Sequence, residues 1–446
     1  MIVLPNTPPV PVQIEGSTTA LPAQVLSLRT SLQNVKLATY NDSINYVVNL
    51  EKYLDSIDQI SDGVDASETF VSSNIPWNHL SKTKFKQFFN TGNKKIESVR
   101  WSLMNELIMT SLSISLIYVR IASDLLNSTI DTDVEPPAKA EEYNESWKQV
   151  MNLYKKSISF LMYEQSLESK QGSFSEGALK INPVLIPFLS KISEICIQVS
   201  ILAKYLWINR ASINYNEQVT TENNATLAKV AIFCVNELEA SQKLLESLLH
   251  STGKKTEADN ELINLDYRDW EDYLSLFKRY ISAYAGLFLA IQNYRDDKIG
   301  NALGLIRYSL LALQSKKDLP PSSTLHKKFS FQKIRNKVQQ RSQENVLQSL
   351  NSISTLDIKR SAFNDKSGIV LNDLAYLYDQ LIRLNLKFTS ENDNLKYQDV
   401  VHWSSVGSDS KWPIGCKIPV SNIEPYEVHK SVEKSENEYA GRGSYF

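Results

Sequence analysis

The stretch KIGNALGLIRYSLLAL, Lys298 to Leu313, sets Leu303, Ile306 and Leu310 along one helical stripe and places Gly300, Ala302 and Gly304 beside it. Apolar residues three and four apart are the signature of an amphipathic helix. The preceding segment, Asp266 to Gln292, repeats that spacing with Tyr267, Trp270, Tyr273, Phe277, Tyr280, Tyr284 and Phe288. Only the short Tyr294 to Lys298 turn separates the two, so they form a helical hairpin. Ala283, Ala290, Gly300, Ala302 and Gly304 fall where the two helices would approach closely, which makes the hairpin look like a tetratricopeptide-type unit. No fixed-period tandem repeat accompanies it.

The same period runs through most of the chain. Two helices are expected between Ala23 and Ile60, then others over Glu141–Leu167, Pro183–Asn209, Asn224–His250, Lys333–Ile358 and Gly368–Phe388. Leu103 to Val119 is the most apolar stretch. Asn105, Glu106 and Arg120 bracket an uncharged part shorter than a bilayer requires, so it reads as a buried core helix. Prolines at 136 and 137 and again at 320 and 321 end helices, and the stretch from there to Gln332 reads as an exposed loop. After Val400 the helical period stops, and Trp403, Trp412, Pro413, Gly415, Pro419 and Pro425 mark an extended tail packed on the body. The expected division is an extended, Pro-containing N-terminal segment over 1–24, a helical domain over 25–400, and a tail over 401–446 with a polar, disordered end. The fold class is all-α, an elongated and curved body.

Composition narrows the function. Apolar residues are 42% and charged residues 22% of the 446, ordinary globular values that exclude a wholly disordered chain. A net charge of -2 gives no overall attraction to nucleic acid. The three cysteines, Cys196, Cys234 and Cys416, are far apart and odd in number, so they read as reduced thiols of a soluble, cytoplasmic protein. Met1 to Pro11 has no basic region followed by an apolar run and does not resemble a secretory leader. None of the five histidines has the companions a metal site needs, and no phosphate loop or nucleophile elbow occurs, so no metal, cofactor or catalytic residue is expected. The aromatic stripe over 266–288 reads as core packing rather than a base-stacking platform. Lys327, Lys328, Lys333, Arg335, Lys337 and Arg341 form the one notable basic cluster, read either as a solvated face or as a contact for anionic lipid or an acidic partner.

The hairpin stretch, with Tyr280, Ala283, Tyr284 and Ala290 before it, resembles the signature of Bro-type (Bro-one) domains, the helical modules of ALIX-like ESCRT adaptors. Gly300, Ala302, Gly304 and Arg307 resemble the pattern of the fungal PalC branch. Trp77, Leu80-Ser81 and Glu106 are similar to that branch's early region, and Val401, Trp412-Pro413-Ile414-Gly415 and Pro419 to Tyr426 to its ending.

The resemblance implies a non-enzymatic adaptor of ambient (alkaline) pH signalling, the Rim/Pal pathway, cytoplasmic and recruited to the plasma-membrane cortex or endosome. Its implied partner is an ESCRT-III subunit of the Snf-seven/Vps-thirty-two type, whose C-terminal amphipathic helix sits on an apolar surface patch, with other pathway proteins as further partners. Glu194-Ile195-Cys196-Ile197 resembles the first part of that patch and Ala225 to Ala231 the second. Ile197, Leu227 and Val230 are then the apolar contacts and Lys229 faces acidic partner residues. The alternative for the three apolar residues is that they are core. The alternative for the whole chain is a peripheral membrane or trafficking protein acting through the basic segment 327–341.

Overall fold

A computed structural model describes residues 2–15, 21–33, 35–80, 100–131, 143–170, 180–216, 222–251, 262–267, 269–313, 368–406 and 412–428. The helices are α1 (Ala23–Ser31), α2 (Tyr40–Ser61), α3 (Leu103–Asp131), α4 (Asn144–Lys170), α5 (Leu185–Asn216), α6 (Asn224–Ser251), α7 (Trp270–Arg295), α8 (Ile299–Ala312), α9 (Gly368–Glu391) and the single turn α10 (Trp403–Val406). From α2 to α8 each helix packs on the next in sequence. Then α9 packs back on α8 and also touches α3. Among the described residues strand structure is slight. Phe70–Ser72 (β1) pairs antiparallel with Trp101–Ser102 (β2), and Lys180–Ile181 (β3) pairs parallel with Leu262–Ile263 (β4). The chain is therefore mostly helical, as its periodicity requires, and the expected helix over 333–358 lies outside the described residues.

Local chemistry fixes several boundaries. A capping box starts α2, with the Thr39 side chain accepting from the Asp42 N–H while the Asp42 carboxylate accepts from the Thr39 N–H. Among the described residues three helices, within Leu103–Asp131, Leu185–Arg210 and Trp270–Arg295, are long and apolar enough to cross a bilayer by length and composition alone. Their apolar windows are largely buried inside the protein, 94% in the first. The buried serines of α3 find partners on other elements: Ser111 and Ser113 donate to the carbonyls of Phe160 and Pro9, while Ser115 and Ser123 pair with the hydroxyls of Ser157 and Tyr154. A helix whose polar groups are met by neighbouring protein on several sides is a central core helix.

The N-terminal segment is extended but woven into the body. Ile2 and Leu4 are core residues, the Trp270 indole donates to the Pro5 carbonyl, and Pro11 bridges Trp77. Nearby, the buried Glu106 carboxylate accepts from Arg29 Nε, the Tyr53 hydroxyl and the indoles of Trp77 and Trp101 at 2.7 to 2.9 Å. Arg29 also donates to the Val12 and Pro76 carbonyls. One carboxylate thus ties α1, α2, the 77 loop and the start of α3 together.

The aromatic stripe lies in the core, with Trp270, Phe277, Tyr280, Tyr284 and Phe288 all buried and Tyr280 edge-on to Tyr284. The small residues of the hairpin need a correction. The close α7–α8 approach is at Gly286, where a Cβ would lie 2.0 Å from Ser309 Oγ. Gly300 and Gly304 face a different neighbour: a Cβ there would lie 2.1 Å from the Asp399 carbonyl oxygen and 2.4 Å from that of Val401. The two glycines form a track on α8 for the segment following α9. Val401 N–H donates to the Gly300 carbonyl, and the Gln398 side chain accepts from the Gly300 N–H, an otherwise unpaired first-turn donor.

Candidate functional site

The sequence-based patch residues fall on α5 and α6. Ile197, Leu227 and Val230 are 1%, 1% and 0% exposed, whereas Lys229 is on the surface. Leu227, Val230 and Cys234 recur on the inward side of α6, so an open patch made of all three apolar residues is not presented. A depression does adjoin Ile197. Its walls are Ile158 and Met162 of α4, Glu194, Ile197 and Gln198 of α5 and Phe233 of α6, and its volume is about 420 Å³. The remaining wall is the tail, through Lys417, Pro419, Val420, Ser421, Asn422 and Ile423.

The tail crosses all three helices. At Gly415 a Cβ would sit 2.6 Å from the Phe233 nitrogen and 2.8 Å from its Cα, so only glycine permits this approach to α6. The next residue, Cys416, donates its N–H to the Lys229 carbonyl at 3.1 Å. On α5, the Gln198 amide pairs with both backbone groups of Ile418, accepting from its N–H at 2.9 Å and donating to its carbonyl at 3.0 Å. On α4, Ser159 accepts from the Tyr426 N–H and donates to the Glu424 carbonyl, and Lys155 reaches Ser421. The Tyr426 ring stacks on Phe160 at 4.2 Å and its hydroxyl donates to Asp55 of α2.

Two tyrosines, Tyr426 of the tail and Tyr163 of α4, sit beside carboxylates of α2. Burial, and then the hydrogen bond to Asp55, hold the Tyr426 phenol well above its ordinary pKa, and burial with Asp58 does the same for Tyr163. The Cys196 thiol behind Ile197 is pushed up to about 12 by burial, which removes thiolate reactivity at neutral pH. Among the described residues no group of three or more His, Cys, Asp or Glu could hold a metal ion. The arrangement can hold an apolar polypeptide segment and offers Gln198 as a backbone-reading group. Ile158, Met162, Phe233 and Gln198 were not found from sequence, although the i, i+4 pair Ile158–Met162 on the amphipathic α4 is a signal that could have marked them. Lys327, Lys328, Lys333, Arg335, Lys337 and Arg341 lie outside the described residues.

Comparison with known proteins gives a family match and distant likeness to solved structures. A family model described as a family of unknown function, DUF5355, matches residues 101–446. No curated protein matches. A solved structure reported under the heading "Structure basis for endosomal targeting by the Bro1 domain" is similar at 13% identity and a TM-score of 0.39, covering 85% of this chain and 89% of its own.

Proposed function

The chain belongs to the DUF5355 family, and we propose from its residues that it is a non-enzymatic adaptor of ESCRT-dependent, ambient-pH signalling. In this reading it binds the C-terminal amphipathic helix of an ESCRT-III subunit of the Snf-seven type and acts in the cytoplasm, recruited to the cortex or endosome. The reading is carried by the depression beside Ile197, which is lined by Glu194 and Ile197 of the first segment that resembles the Bro-type patch and by Phe233, two residues beyond the second. Lys229, exposed on the same helix as Phe233, suits a partner with acidic residues flanking its apolar face. The glycine track of α8 supports the PalC resemblance, because Gly300 and Gly304 are the motif positions where a larger residue would collide with Asp399 and Val401.

Leu227 and Val230 support this site from within the core, so testing them would test folding. Met162 and Phe233 are the half-buried positions to change. A labelled peptide of the subunit's terminal helix should bind the purified chain near micromolar, as a few aliphatic contacts of about 1.5 to 3 kcal/mol each would give once association costs are met. Met162→Asp and Phe233→Ala should weaken it about tenfold or more. Absence of binding both to the unaltered chain and to a Tyr426→Ala variant would refute the proposal.

A further inference from the structure

Residues 412–428 sit on α4, α5 and α6 as a bound peptide sits in a groove. They form neither helix nor strand, and their backbone is read at four positions, Cys416, Ile418, Glu424 and Tyr426, by groups on the helices. Gln198 is a 3% exposed amide that satisfies both the N–H and the carbonyl of a single tail residue, as a neighbouring strand would. Ile418, Val420, Ile423 and Tyr426 turn partly inward, while Ile414 is 91% exposed. No residue of 412–428 reaches the burial of the core, although Ile197 beneath them does. The 420 Å³ depression lies between this segment and the helices, so the fit between them is incomplete. A segment held by surface hydrogen bonds and partial burial opens without the core opening.

We propose that residues 412–428 fill the α4–α5–α6 groove in cis as a strap that lifts as a unit, and that the strap and the partner's amphipathic helix compete for the depression. The competition rests on the function proposed above. The strap does not.

The test uses the full chain. In hydrogen exchange read by mass spectrometry, amides of Cys416, Ile418 and Tyr426 should exchange about 100-fold faster than those of Leu112 to Ile121 in α3. Gln198→Ala and Tyr426→Ala should each speed the strap about tenfold further and leave α3 unchanged, since they remove a double backbone hydrogen bond and a ring stack with its hydroxyl bond. Strap amides that exchange at the α3 rate, or that move together with α3 in the variants, overturn the strap. Using the same ESCRT-III helix peptide as probe, Tyr426→Ala should bind about tenfold tighter than the unaltered chain. Equal binding overturns the competition while the adaptor function stands. If the probe binds neither chain, the proposed function fails and the competition with it, and exchange alone decides the strap.

Discussion

Replacing Glu106 by Gln should cost about 3 to 5 kcal/mol of folding stability, the usual loss when one side of a fully buried ion pair is removed. The side chain is 0% exposed and accepts from Arg29, Tyr53, Trp77 and Trp101. Each hydrogen bond to a charged group is worth about 1.5 to 3 kcal/mol, but four bonds sharing one carboxylate do not sum. Glutamine keeps the volume and one acceptor oxygen. Its amide nitrogen, however, meets the two indole donors that Glu106 Oε2 accepts from, and Arg29, 1% exposed, loses its counter-charge. Against a domain stability of about 5 to 15 kcal/mol, the urea midpoint should fall by roughly a fifth or more. Tryptophan fluorescence reads this directly, because Trp77 and Trp101 touch the substituted group. Combining Glu106→Gln with Arg29→Met should cost less than the sum of the two single changes, since the uncompensated charge is gone. A loss below about 1 kcal/mol in Glu106→Gln would refute the view that this carboxylate ties the N-terminal elements to α3.

Three further outcomes are expected. Gly304→Ala and Gly300→Ala should each destabilise by about 1 to 3 kcal/mol in thermal melts, despite alanine's better helix propensity, because the added Cβ meets the carbonyls of Val401 and Asp399. Burial, partly offset by Arg120, raises the Asp124 carboxyl above its ordinary pKa, so its contribution to stability is full below the unfolded pKa and is lost as pH rises through the folded one. Asp124→Asn should therefore raise the melting temperature at neutral pH and leave it unchanged near about pH 3. Iodoacetamide should modify exposed Cys416 in the native chain, and Cys196 and Cys234 only after unfolding, since both are fully buried with raised pKa values. Peptide mapping of the labelled chain checks this.

Helical period alone located α2 to α9, because each buries a stripe whose spacing is set by 3.6 residues per turn whatever it packs against. The fate of the aromatic stripe was legible for the same reason. The tail was legible as the place where that period ends. Partner choice was not. Gly300 and Gly304 look like a helix–helix contact in sequence, yet they receive a segment about one hundred residues further on, while Gly286 makes the helix contact. Ile197, Leu227 and Val230 have the composition of a patch and the burial of a core, because residues on a helix face carry no mark of whether the next layer is this chain or another. That the groove is covered in cis was also invisible. Gln198 and Ile418 lie 220 positions apart, and their pairing is decided by how α5 and the tail meet in space.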